Sequence, residues 1–171
     1  HWGHDFRPDY RLLGERLPML RPAPIIALTA TATVRVQKDI VSGLQMNSPG
    51  LFIRGFWREN LAVEVKDCLP SQRPQLVREL LSSPDALPAI VYVPTRKESE
   101  RLAKELSDLG AVSYHAGMES AQRTSSQTDF MADRARIVVA TVAFGMGVDK
   151  SDIRTVVHTG LPGTVENYYQ E

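Results

Sequence analysis

Short apolar runs alternate along this chain with longer amphipathic ones. Residues 25–28, 51–54, 62–65, 89–93, 111–114, 137–140 and 155–158 are compact and rich in aliphatic side chains. Runs of this length without polar alternation predict strands buried on both faces of a parallel sheet. Between them, Leu76, Val77, Leu80 and Leu81 form one helical stripe, with Pro74 in its first turn. Leu102, Ala103, Leu106 and Leu109 form another, closed by Gly110 as a left-handed cap. Residues 120–133 are weakly periodic, with only Ala121, Phe130 and Met131 clearly apolar. A helix is expected there because parallel strands need a crossover connection. Strands alternating with helices predict an α/β fold with a largely parallel sheet.

In such sheets the strand-to-helix turns share the carboxyl edge, where ligands bind. The distinctive sequences fall at those turns. Thr29-Ala30-Thr31 follows one predicted strand, Pro94-Thr95-Arg96 a second, His115-Ala116-Gly117 a third, and the stretch from Thr141 to Lys150 a fourth. Four such turns make this edge the leading functional candidate. Gly55-Phe56-Trp57-Arg58-Glu59-Asn60 lies between two predicted strands with no helix to join them, so a lobe boundary is expected at 55–61.

The 171 residues, 43% of them apolar, suffice for a real core, and the 23% charged content with dispersed Leu, Ile and Val argues against disorder. No apolar run approaches the roughly 18–20 residues that span a bilayer, and the polar opening His1-Trp2-Gly3-His4-Asp5 is not a secretory signal. A single cysteine, Cys68, permits no internal disulfide, so an intracellular protein is expected. Twenty basic residues balance twenty acidic ones, which excludes wholesale electrostatic capture of nucleic acid but allows local phosphate contacts. The balance is +3 over residues 1–60 (8 basic, 5 acidic) and −3 over 61–171 (12 and 15).

Trp2-Gly3-His4-Asp5-Phe6-Arg7-Pro8 concentrates two aromatics and a cation in a loop that Pro8 keeps from being helical. Its rings suit stacking on unpaired bases, and equally suit plugging the edge of a core. His1, His4 and Asp5 lack a fourth partner for a metal. Thr31 or Thr33 fits the N-cap of a helix over 34–41, and a hydroxyl relay beside a nucleotide is the alternative. Thr95-Arg96-Lys97-Glu98 matches a capping box, and the same helix start, with two cations, suits a phosphate. In Val138–Lys150, Gly145 and Gly147 allow close backbone approach, Asp149 suits ribose hydroxyls and Lys150 a phosphate. This is not the dinucleotide fingerprint, because Lys150 stands where its third glycine belongs. The chain also contains no Gly-x-x-x-x-Gly-Lys-Ser/Thr loop, no acidic pair after an apolar strand, and no nucleophile elbow.

Taken together these segments resemble the RecQ family of ATP-dependent DNA helicases, nearly end to end. WGHDFRP (2–8) is similar to that family's aromatic-rich loop, ALTATAT (27–33) to motif III and IVYVPTR (90–96) to motif IV. YHAGM (114–118), VVATVAFGMGVDK (138–150) and VENYYQE (165–171) resemble the next segments, the last two being motif V and the opening of motif VI. The family's Asp-Arg-Pro-Asn linker reads Trp57-Arg58-Glu59-Asn60 here.

The resemblance implies a RecA-like parallel sheet flanked by helices, with ATP in a cleft between two lobes and single-stranded DNA across the top. Residues 1–54 would be the end of the first lobe, 55–61 the linker, and 62–171 most of the second. Trp2, Phe6 and Arg7 would couple DNA contact to hydrolysis, and Thr29 and Thr31 would connect the two events. Thr95, Arg96, His115 and Thr141 would lie near the DNA backbone. Gly147 and Asp149 would face the nucleotide, with Gln170 near its phosphates. The implied parent enzyme uses ATP and Mg2+, moves 3′ to 5′ on single-stranded or partly duplex DNA, and serves repair and recombination. It would reside with the nucleoid in bacterial cytoplasm, or in a eukaryotic nucleus. The chain is expected to be an internal piece of that motor, inactive alone because the P-loop and acidic magnesium motif lie outside it. The rival readings are a non-catalytic RecA-like module binding nucleic acid or protein, and an RNA helicase of the wider superfamily.

Overall fold

The computed structural model describes residues 12–20, 22–29, 32–53, 58–141, 144 and 148–170. The chain divides into two compact units, 1–63 and 64–171.

The first unit contains α1 (Leu13–Arg16) and α2 (Val34–Gly43). A Cβ on buried Gly14 would run into the Gly43 carbonyl, so only glycine permits that approach. Thr33 is the N-cap of α2, its hydroxyl accepting from the Val36 amide at 3.4 Å. That decides between the two threonines, and Thr31 lies outside the described residues. The strands expected at 25–28, 51–54 and 62–65 are not formed among the described residues. An apolar tetrapeptide favours extended backbone, but a strand exists only where a neighbour completes its ladder. Without one, Leu28 stays 91% exposed and Phe52 97%.

The second unit carries β1 (Ala89–Tyr92), β2 (Ala111–Tyr114), β3 (Ile137–Ala140) and β4 (Thr155–His158). They form one parallel sheet in the order β2-β3-β1-β4. The two interior strands, β1 and β3, are wholly buried, which is why their sequences are unbroken apolar runs. Around the sheet lie α3 (Arg73–Leu81), α4 (Arg96–Glu105), α5 (Ser120–Met131) and α6 (Val165–Gln170).

Alternation along the strands divides the core between two faces. Ala89, Val91, Ile137 and Val139 meet Val77 and Leu81 of α3 and Leu102 of α4 on one face. Ile90, Tyr92, Val138 and Ala140 meet Phe130 of α5 and Phe144 on the other. Each large side chain so buried contributes about 1.5–3 kcal/mol. Gly110 ends the turn after α4 with φ 78°, the left-handed cap expected there. Arg78 joins α3 to the end of α4, donating two 2.8 Å hydrogen bonds to Asp108 and another to the Glu105 carbonyl. Its guanidinium holds the Asp108 carboxyl below the ordinary carboxylate range.

Candidate functional site

Parallel pairing sets Tyr92, Ala140, Tyr114 and His158 abreast at the ends of their strands. The turns that follow therefore leave from one carboxyl edge, and Thr95, Arg96, His115 and Thr141 share it. Backbone bonds continue past the ladders and bind the turns together. Val93 donates to the Ala140 carbonyl at 2.9 Å, Thr141 to Tyr114 at 3.3 Å and Thr159 to Tyr92 at 3.0 Å.

Thr95 caps α4: its hydroxyl accepts from the Glu98 amide at 3.2 Å and donates to the Glu98 carboxylate at 2.9 Å. In the box expected from sequence, that carboxylate would reach the Thr95 backbone amide instead. Arg96 begins α4 and is exposed. A Cβ added to Gly117 would stand 2.9 Å from an Arg96 Nη, so the missing side chain is what lets the guanidinium lie on that turn. The turns after β1 and β2 thus form one surface bearing a cation.

His115 is only 3% exposed, and its Nε2 lies 3.0 Å from a Glu100 carboxylate oxygen on α4. Nδ1 is buried and has no hydrogen-bond partner among the described residues. The ring faces inward, so the edge presents the backbone of the His115–Gly117 turn rather than the imidazole. Met118 donates to the His115 carbonyl at 3.1 Å and closes that turn. Ser99, fully buried one residue before Glu100, donates to the Val139 carbonyl at 2.7 Å and seats α4 on β3.

Thr141 accepts from the Phe144 amide at 3.1 Å, so the chain turns as it leaves β3. Phe144 is buried, its ring edge-on to Tyr114 at 4.8 Å and to Phe130 at 5.8 Å. The Tyr92 hydroxyl donates to the Phe144 carbonyl at 2.9 Å. The Tyr92 ring stacks on His158 at 5.3 Å, and His158 meets Tyr168 of α6 at 5.2 Å. Gln170 is the last residue of that helix.

Asp149 is exposed and faces solvent. Lys150, which the sequence offers to a phosphate, is instead engaged: its side chain is 6% exposed and its ammonium lies 2.8 Å from Asp133 and 3.0 Å from Asp152. The hydrogen bond to Asp133 raises the Lys150 pKa, and Lys150 lowers that of Asp152. Thr29 is exposed in the first unit and follows no strand among the described residues. Trp2, Phe6, Arg7, Thr31 and Gly147 lie outside the described residues. Among the described residues no group of three His, Cys, Asp or Glu side chains is placed to hold a metal ion. No helix among them is long and apolar enough to cross a membrane.

A four-stranded parallel sheet flanked by helices, with polar turns leaving one carboxyl edge, is an α/β unit of the RecA-like kind. Residues 72–171 match the family described as helicase conserved C-terminal domain, and the chain belongs to that family. Its likeness is to the RecQ type. It is 43% identical over 177 residues to the bifunctional 3'-5' exonuclease/ATP-dependent helicase WRN of Mus musculus, covering 99% of this chain and 13% of that protein. It is 42% identical over 172 residues to the ATP-dependent DNA helicase RecQ of Pasteurella multocida, covering 99% and 27%. The chain thus spans about an eighth to a quarter of the length of these relatives. In structure, it resembles a DEAD box protein from the hyperthermophile Methanococcus jannaschii, with a TM-score of 0.52 and 25% identity over 59% of this chain and 28% of that one.

Proposed function

We propose that this chain is part of a RecQ-type DNA helicase that couples ATP hydrolysis to 3′-to-5′ movement on single-stranded DNA and to duplex unwinding in repair and recombination. Residues 1–54 would end its first RecA-like lobe, 55–61 link the lobes, and 62–171 form most of the second. Its place would be the nucleoid of a bacterial cytoplasm or a eukaryotic nucleus.

The observation that carries the reading is the Arg96 guanidinium lying on Gly117, which joins two polar turns on one sheet edge. Cations and backbone amides on such an edge hold successive phosphates without reading bases, as a translocating motor requires. Thr95, Arg96, the backbone of the His115 turn and Thr141 make that track. His115 serves it from beneath, fixing the turn to Glu100. Trp2, Phe6 and Arg7 add stacking and charge, while Thr29 and Thr31 connect DNA contact to hydrolysis. Gly147, Asp149 and Gln170 face ATP, with Mg2+ supplied from carboxylates elsewhere in the enzyme.

Fluorescence anisotropy on labelled oligodeoxynucleotides tests the track. Arg96→Ala is expected to weaken single-strand binding by about tenfold and to flatten the log-affinity slope against log salt by roughly 0.7, one phosphate contact. Gly117→Ala displaces the same guanidinium and should reproduce much of the loss without unfolding, because the far end of an arginine can move aside. Unchanged affinity and slope in both variants would remove the track. A separate assay addresses the chemistry. The isolated 171-residue chain, which holds no P-loop sequence, is expected to release no phosphate from ATP above background. Turnover that survives repurification would contradict the assignment of the phosphate-binding groups to another segment.

A further inference from the structure

We propose that Lys150 is a positioning residue: held on the Phe130 ring and between Asp133 and Asp152, it fixes the place of the neighbouring Asp149. The proposal rests on the nucleotide-facing role given above to Asp149 and adds what holds that residue in place.

The Phe130 ring is fully buried at the end of α5. The Phe144 ring meets it edge-on at 5.8 Å, and the Lys150 ammonium stands over it at 5.6 Å from the centroid. Residues 144 and 150 are therefore tied to the same ring, and Asp149 immediately precedes the second tie. Fixing the residue next to Asp149 removes conformations that a ligand would otherwise have to freeze out.

The partners of Lys150 point the same way. Asp133 follows the C-terminal end of α5 with φ 59°, a left-handed conformation that glycine or asparagine adopts more readily. Asp133 also directly follows the C-cap residue Ala132, at the helix end whose dipole disfavours negative charge. An aspartate with both disadvantages is understandable as the acceptor for Lys150, 2.8 Å away. Asp152, in the turn before β4, supplies the second carboxylate. Arg134 follows Asp133 but bonds to Asp129 at 2.8 Å, so Lys150 is the cation bonded to both acids, with Arg154 acting on Asp152 only through its charge. The ammonium thereby joins the end of α5, the segment after β3 and the approach to β4.

Two measurements test this. In the 171-residue chain, acylation of lysine amines followed by mass spectrometry should modify Lys150 about tenfold more slowly than exposed Lys38, Lys66, Lys97 and Lys104. Asp133→Gly, which suits the left-handed backbone, combined with Asp152→Asn should abolish that protection. Equal reactivity of Lys150 in the unaltered chain would overturn the clamp. In the full-length protein containing this chain, Lys150→Met is expected to raise KM for ATP by about fivefold, with kcat and the Kd for single-stranded DNA within about twofold. Lys150→Arg should restore KM. A merely stabilising ion pair would lower the melting temperature and leave KM where it was, and that result would overturn the positioning role. If Lys150→Met does not fold, Asp133→Gly with Asp152→Asn carries the same KM comparison. Absence of ATP turnover in the unaltered full-length protein would strike the proposed function instead, and the acylation result would still judge the clamp.

Discussion

Truncating Phe130 to alanine is expected to lower the unfolding free energy of the 64–171 unit by about 3–5 kcal/mol, among the largest effects of any single substitution in the chain. The ring is fully buried between Val138, Ala140 and Phe144, so its removal leaves a cavity that two rigid strands cannot collapse to fill. It also removes the platform under the Lys150 ammonium. Urea unfolding followed by circular dichroism gives the number directly, provided the transition is two-state. Phe130→Leu keeps most of the volume and should recover over half of the loss. A cost below about 1 kcal/mol for the alanine variant would mean that α5 packs on the sheet without this ring at its centre.

The contrast between well-read and misread strands has a physical cause. Ala89–Tyr92 and Ile137–Ala140 are interior strands, and burial on both faces writes itself into sequence as an unbroken apolar run. The runs at 25–28, 51–54 and 62–65 carry the same local signal, yet a signal of burial names no partner strand. Helix α5 was legible only through topology: Phe130 is its sole fully apolar buried residue, but a crossover between β2 and β3 was required. The site divides similarly. Polar residues clustered after apolar runs marked the edge, because a strand end in a parallel sheet is where backbone and side chains reach a ligand. Which of those residues face outward was not legible. His115 turns in to Glu100, 15 positions away, and Lys150 to Asp133, 17 away, through contacts between different elements that no local spacing rule encodes. The role of Tyr92 was likewise not legible, because nothing local to a strand tyrosine says that its hydroxyl reaches Phe144, 52 positions on.

That hydroxyl allows ring and hydrogen bond to be separated in the second prediction. Tyr92→Phe keeps the ring and its stack on His158 but leaves the buried Phe144 carbonyl without its donor, a loss expected to cost about 1–3 kcal/mol. Tyr92→Ala removes the ring as well, and about 3–5 kcal/mol should go with it. Urea unfolding of both variants and the unaltered chain measures the two steps. Their difference reports the ring, and the first step alone reports the tie to the segment after β3. The order of the effects also carries information. If Tyr92→Phe were as stable as the unaltered chain, water would be satisfying the Phe144 carbonyl, and position 144 would be held only by its own ring against Tyr114 and Phe130. If instead the phenylalanine variant accounted for most of the alanine cost, the hydrogen bond would outweigh packing at this position. The segment leaving β3 would then depend on β1 for its path, because the group that satisfies it stands at the last residue of that strand.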